Sequence, residues 1–230
     1  MTDTSEHPVR PAALSAPSTY IPVTPSPNII ITLAPPNTLP TLGALFDASI
    51  TWLNSIGITT QWGTTARSKT PEFQERLEAI YANAMVLQAR TSTDHPTHPD
   101  TILGFIGIGN TGYNPYPGIV PDMPDGTDAV HITVLIRNRE TPEISALSKG
   151  VGRALVEEAK KETKRRGVPC LRVDCYGGAD GTLVKVYESM GFKRNPLEPV
   201  IIKNHGREDW EMQVLEMWFD EELKKRIRGE

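Results

Sequence analysis

Three strand-like runs follow one another with no helical stretch between them, and this limits the fold more than any other feature. They are MVLQAR (Met85–Arg90), ILGFIGIG (Ile102–Gly109) and AVHITVLIR (Ala129–Arg137). Strands joined by loops alone pair antiparallel, because a parallel return needs a crossover of about a dozen residues or more. TSTDHPTHPD joins the first two, and a Gly/Pro/Asn/Asp loop from Asn110 to about Thr127 leads to the third. The whole chain reads β-α-α-β-β-β-α-β-α-β-β. The fold class is therefore α/β (α+β), with a single mixed, mostly antiparallel sheet flanked by helices.

The remaining elements follow from apolar spacing. IIITLA (Ile29–Ala34) is a β-branched run ending at Pro35-Pro36. Leu42, Leu45, Phe46, Ser49 and Leu53 share one helical face, giving a helix to about Trp52–Asn54. SIGITTQWG is irregular. Thr70-Pro71 then reads as N-cap and first turn of a second helix with Phe73, Leu77, Ile80, Tyr81 and Ala84 inward. On AVHITVLIR, alternation sends Val130, Ile132, Val134 and Ile136 one way and His131, Thr133 and Leu135 the other. NRETPEISALS reads as a connection. CLRVDC, PVIIK and MQVLEMWF supply further strands, and GTLVKVYESMGF a short helix. The expected organisation is a flexible Pro/Ser/Thr-rich arm over 1–26, one domain over 27–222 and a charged tail over 223–230.

A net charge of −4 and a pI near 5.8 argue against a dedicated nucleic-acid binder. The cations Lys160, Lys161, Lys164, Arg165 and Arg166 read as a solvated helix face. No apolar run approaches the roughly 18 residues of a membrane span, and MTDTSEHPVRP lacks the basic and apolar regions of a secretory signal. Cys170 and Cys175 are five apart on a strand, hence on opposite faces, so no disulfide is expected between them. A reducing, cytoplasmic setting and no metal site are the expectation.

SKGVGRALVEEAKKETKRRG (Ser148–Gly167) places Gly150 and Gly152 at the mouth of a helix that follows a strand. The first turn of a helix leaves N–H groups without partners, and its dipole favours an anion there. Glycines remove the Cβ atoms that would block a phosphate, while Lys149 and Arg153 add charge at the rim. A tight turn against the strand is the competing reading, since neither a Rossmann nor a Walker pattern is present.

In that order, "VHITVLIRNRE…SKGVGRALVEEA", "LRVDCYGGAD" and "LVKVYESMGF" resemble the GNAT superfamily of N-acetyltransferases, over roughly Ile29 to Phe219. The resemblance implies acetyl-CoA as co-substrate, with its pyrophosphate on the amides of Leu147–Gly152, a stretch that departs from the family's Gln or Arg at Leu147. It places Lys149, Gly150, Val151, Gly152 and Arg153 at the phosphates, and the pantetheine arm along the backbone of Leu135, Ile136 and Arg137. Asp180 lies in the stretch where the family carries an Asn that contacts CoA. Tyr187 matches the tyrosine of Y-E-x-x-G-F, which implies a general acid at the CoA sulfur. The helical stripe Leu183, Val186, Tyr187 and Met190 also allows it to be a core ring.

Direct transfer to an amine needs a proton acceptor, a donor to the developing oxyanion and a proton for the thiolate. His131 is the candidate base, because an ordinary histidine titrates near neutrality; Asp128 and Asp174 are alternatives. His95 and His98 read as solvated. Trp52, Gln61 and Trp62 are candidates for an aromatic acceptor wall, and Tyr113 and Tyr116 for a closing loop. No strongly acidic cluster lies near these segments, which points to a small-molecule amine, amino-acid-like, as partner. A protein or peptide acceptor and a non-catalytic acyl-CoA-binding module remain the alternatives, and a homodimer is left open.

Overall fold

The computed structural model describes residues 23–26, 29–114, 123, 127–195, 199–202 and 210–228. Among these, β1 (Val23–Ser26), β2 (Ile29–Leu33), β3 (Ala84–Thr91), β4 (Ile102–Gly109), β5 (Val130–Arg137) and β6 (Cys170–Tyr176) lie side by side in one sheet. β9 (Trp210–Trp218) follows β6, and both β7 (Lys193–Arg194) and β8 (Val200–Ile202) pair with β9. Only β5 and β6 pair parallel among the described strands; the other pairs are antiparallel. This is the mixed, mostly antiparallel sheet that the order of elements dictates. No helix among the described residues is long and apolar enough to cross a membrane.

The sheet begins earlier than the sequence suggests. Val23 and Ser26 pair with Ile31 and Ile29, within a proline-rich stretch read as part of an arm; an edge strand tolerates proline because one side of its backbone needs no partner. The rest of that arm, 1–22, lies outside the described residues.

Helices α1 (Leu39–Ser55) and α2 (Pro71–Asn83) cover one face. Their buried residues Leu42, Leu45, Phe46, Phe73, Leu77 and Ile80 pack on Val86 and Phe105. The connection NRETPEISALS contains a further helix, α3 (Pro142–Leu147), whose Thr141 side chain caps it by accepting from the Ile144 N–H at 3.3 Å. Helices α4 (Val151–Arg165) and α5 (Thr182–Glu188) cover the other face, with Val151, Leu155, Val156 and Ala159 on Leu103, Ile106 and Ile108. The tail also holds a helix, α6 (Glu221–Arg228).

The cations of α4 are engaged within the fold. Lys161 pairs with Glu158 at 2.7 Å, and Arg165 and Arg166 both bind Glu162, at 2.7 and 2.8 Å. Lys164 lies 4.9 Å from the centre of the Phe219 ring. Burial alone would raise the Glu162 pKa, but the two guanidiniums hold it below the ordinary carboxylate range.

Strict alternation fails along β5. Gly107 pairs with Val134 but its neighbour Ile108 pairs with Ile132, so Thr133 is one residue too many. This β-bulge reverses the faces. Val130 and Ile132 join the core under α4, whereas Val134 and Ile136 join the core under α1 and α2. The expectation that all four share a face is therefore corrected. Gly107 makes room for the bulge, because an added Cβ would collide with the Thr133 hydroxyl and lie 3.0 Å from Val134.

Gly104 serves the same pair of strands further along. A Cβ there would lie 2.5 Å from the Ile136 carbonyl oxygen and 3.2 Å from both the Arg137 Cα and the Val151 side chain. Gly104→Ala is expected to force β4 and β5 apart and lower stability by about 1–3 kcal/mol. Urea unfolding checks this, and an unchanged midpoint would show that the strands yield freely.

Candidate active site

β5 and β6 pair only as far as Ile132 opposite Val173, although β5 continues to Arg137 and β6 to Tyr176. Beyond that point the strands part, and a cleft of about 810 Å³ opens between them. Leu135, Ile136 and Arg137 line one wall and Val173, Asp174 and Tyr176 the other. The open edge of β5 faces this cleft with no strand beside it among the described residues, so its backbone can accept an extended ligand as an extra strand.

Gly152 of α4 lines the same cleft. Its φ is ordinary, and an added Cβ would meet nothing within 4 Å. Neither strain nor packing within the protein requires glycine here. The space it leaves belongs to whatever enters the cleft. Gly150 differs: its φ of +81° is the left-handed turn that starts the helix. The Val151 N–H is satisfied by Ser148 O at 3.2 Å, but the N–H groups of Gly150, Gly152 and Arg153 find no acceptor among the described residues. The buried Ser148 hydroxyl donates to the Asn138 and Ser145 carbonyls, at 2.8 and 3.1 Å. Asn138 in turn donates from Nδ2 to Ile102 O at 2.8 Å. This network fixes the turn to the sheet.

The two glycines of the motif thus differ: Gly150 makes a left-handed turn, and Gly152 has ordinary φ with open space at its Cβ position among the described residues. Lys149 stands exposed at the rim, Val151 is fully buried, and the Arg153 guanidinium donates to the Ser189 carbonyl and hydroxyl at 3.1 and 3.2 Å. Arg137 also faces the cleft, with its Nε buried and without a partner among the described residues. Burial lowers its pKa, so a bound anion is favoured beside it. An open helix mouth, a bare strand edge and a desolvated guanidinium together fit a long phosphorylated thioester such as acetyl-CoA.

Tyr187 of α5 lines the cleft and is only 5 % exposed. Its ring meets Phe192 edge-on, with centroids 5.7 Å apart. Burial, with added repulsion from Cys175 and Asp174, pushes the phenol far above its ordinary pKa, so it stays protonated and can donate. Cys175 is pushed up to about 12, chiefly by burial and then by Asp174. Such a thiol is a poor nucleophile. Both cysteines are buried, and among the described residues neither forms a disulfide.

The other face of the cleft is built from the α1–α2 connection. Asp47 of α1 accepts from the Arg67 and Ser68 N–H groups at 2.7 and 3.0 Å, and the Tyr176 and Thr60 hydroxyls hydrogen-bond, tying this connection to β6. Trp52, Gln61 and Trp62 all line the cleft, as their composition suggested. Trp62 packs on Phe46 with ring centroids 5.0 Å apart. The Arg139 guanidinium lies 3.4 Å from the Trp52 ring centre. Burial, then repulsion from Arg137, lowers its pKa to about 10. Arg67, Arg76 and Arg139 line the cleft and went unnoticed in the sequence, where they stand in three separate segments.

Several candidates lie elsewhere. His131 is buried next to the β6 pairing, opposite Arg172, and does not line the cleft. It belongs to the stretch of β5 that is still paired with β6, and the residues that reach the cleft begin one pair further along. Tyr113 and Asp128 sit beside Gly109 and Gly112, beyond the opposite end of β5, and outside the cleft lining. Asp180, with φ 59°, is exposed in the turn before α5 and also outside it. His95 and His98 face each other in the β3–β4 loop, 6.0 Å between rings. Tyr116 lies outside the described residues.

No known family profile matches the sequence, and no curated protein does. Solved structures do match. A GNAT-family acetyltransferase from Listeria monocytogenes superposes with TM-score 0.54 at 17% identity, over 83% of this chain and 95% of that one. The yncA protein of Salmonella typhimurium, solved with its cofactor acetyl-CoA, gives 0.53 at 13%, over 84% and 95%. A ribosomal-protein-alanine N-acetyltransferase from Brucella melitensis gives 0.52 at 15%, over 82% and 99%. At these identities the likeness is one of architecture. The chain has the GNAT acetyltransferase fold.

Proposed function

We propose that the protein is an acetyl-CoA-dependent N-acetyltransferase whose acceptor is the primary amine of a small molecule. The observation that carries this reading is Gly152, whose missing side chain leaves space that no atom of the described residues fills, beside helix-mouth N–H groups that find no acceptor among them. When bound, acetyl-CoA supplies an acetyl group activated as a thioester. The N–H groups of Gly150, Gly152 and Arg153 hold its phosphates, and the open edge of β5 at Leu135–Arg137 holds the extended arm.

The acceptor enters from the α1–α2 face. A bond forms between its nitrogen and the acetyl carbon as the carbon–sulfur bond breaks. The nitrogen's proton leaves through Asp174, the one carboxylate of the cleft wall among the described residues, directly or by way of water. The Tyr187 phenol, held protonated by burial, donates a hydrogen bond to the departing thiolate, which takes its proton from water as CoA leaves. The inert thiol of Cys175 fits direct transfer without an acyl-enzyme. The fold also serves protein amines, as the Brucella structure illustrates, so the small-molecule assignment rests on the aromatic side chains of Trp52 and Trp62 in the cleft lining.

Gly152→Glu separates binding from folding. Apo stability should hold or rise slightly, because glycine inside a helix costs about 0.5–1 kcal/mol and acids suit a first turn. The shift in unfolding midpoint with acetyl-CoA should vanish. In the unaltered protein, ligand at about 100 times its dissociation constant adds about 2.7 kcal/mol, a shift of several degrees. Thermal unfolding with acetyl-CoA, desulfo-CoA, NAD and ATP checks this, and equal shifts with NAD or ATP would remove the reading.

Tyr187→Phe keeps the ring on Phe192 and removes only the phenolic proton. Turnover should fall on the order of 100-fold or more with CoA binding unchanged. Steady-state kinetics checks this; an unchanged kcat would leave Tyr187 a core ring.

A further inference from the structure

β6 runs out in Tyr176-Gly177-Gly178. The Tyr176 backbone pairs with Met212 of β9, and the Gly177 N–H donates to Glu211 O at 2.9 Å, so the strand is held to its last residue. Gly178 has an ordinary φ, yet a Cβ there would strike the Tyr176 hydroxyl and lie 2.5 Å from the ring carbon Cζ. The far end of the phenol thus occupies the place of a side chain at 178. From there its hydroxyl hydrogen-bonds that of Thr60, in the connection between α1 and α2.

Thr60 belongs to a segment bounded by Gly57 and Gly63, both left-handed, with φ +81° and +82°. The ends of this segment have local ties. The Ile58 N–H donates to Leu53 O at 2.9 Å, the Gly63 N–H to Thr59 O at 3.0 Å, and Asn54 Nδ2 to Thr64 O at 3.1 Å. Tyr176 holds the middle, and it does so from the opposite wall of the cleft. Thr60, Gln61 and Trp62 line one side, and Tyr176 lines the other from the end of β6. A phenol is a rigid strut with two side-chain torsions, so a single hydroxyl bond at its tip fixes the separation of two walls at little entropic cost.

Resting on the N-acetyltransferase reading, we infer that Tyr176 is a positioning residue for the acceptor. Gly178 makes room for its ring, and its bond to Thr60 holds Gln61 and Trp62 at the spacing the acceptor needs. Tyr176 acts through that wall. The groups assigned to acetyl-CoA, at Leu135–Arg137 and Gly150–Arg153, stand on β5 and at the mouth of α4, so loosening the wall leaves them in place.

Hydrogen exchange without ligand reads the tie itself. Peptides covering Gly57–Gly63 should exchange faster in Tyr176→Phe, which keeps the ring and removes the hydroxyl. They should also exchange faster in Gly178→Ala, which keeps the hydroxyl and displaces the ring, while α4 stays unchanged in both. Release of CoA thiol then reads the acceptor side, over a panel of tyramine, glutamate, 2-aminoethylphosphonate and ethanolamine, with kinetics on whichever the unaltered enzyme uses fastest. Both variants should raise the KM for that amine by about three- to tenfold, the worth of one hydrogen bond. The value of kcat and the midpoint shift with acetyl-CoA should hold. Thr60→Val should match them, Thr60→Ser should behave as the unaltered enzyme, and Tyr176→Phe combined with Thr60→Val should add little to either alone. A tie that serves stability only would lower the unfolding midpoint and leave the KM alone. That result, or unchanged exchange over Gly57–Gly63, would overturn the inference and leave the acetyltransferase reading standing. Loss of the acetyl-CoA shift in Tyr176→Phe would also overturn it, by assigning Tyr176 to the cofactor. Failure of the unaltered enzyme to acetylate any amine of the panel would bring down both.

Discussion

The parallel contact between β5 and β6 is short, and the site depends on its ending where it does. Three residue pairs, Val130 with Leu171, His131 with Arg172 and Ile132 with Val173, hold the two strands together. The next residue, Thr133, is the extra residue of the bulge against β4. A bulge bends its strand and increases its twist. Here it turns the remainder of β5 away from β6 and changes which side chains face each helix layer. The same residue thus opens the cleft and sets its lining.

Glycine has three separate uses around this opening. Gly104 and Gly107 admit backbone or bulge atoms that a Cβ would strike, so they hold β4 tight against β5. Gly150 supplies a left-handed turn. Gly152 is required by neither geometry nor packing, and this makes it the informative one. In the sequence these four residues look alike; the space around each Cβ position and the sign of φ distinguish them, and the ligand role proposed for Gly152 rests on that difference.

Much of the fold was legible from the amino acids. Strands and helices with strong periodicity, such as β4, α4 and the buried face of α1, fall where their apolar spacing puts them. Thr141-Pro142-Glu143 carries the same start signal as Thr70-Pro71-Glu72, so α3 was readable, but its six residues are too few to show a period. The bulge left no mark in AVHITVLIR, whose perfect alternation is what put Val134 and Ile136 on the same face as Val130 and Ile132. Within the site, Trp52, Gln61, Trp62 and Tyr187 were visible because their residue types stand out locally. Arg67, Arg76 and Arg139 were not, since a charge becomes a site only through the company it keeps in space, and these three come from a loop, a helix and a strand end.

Hydrogen exchange with and without CoA, read peptide by peptide by mass spectrometry, tests the central claim most directly. A ligand lying in the parted strands should slow exchange in two segments together, Val134–Arg137 at the end of β5 and Gly150–Arg153 at the start of α4, while β2 and β3 stay unchanged. Protection confined to other segments, or absent from these two at saturating CoA, would contradict the account.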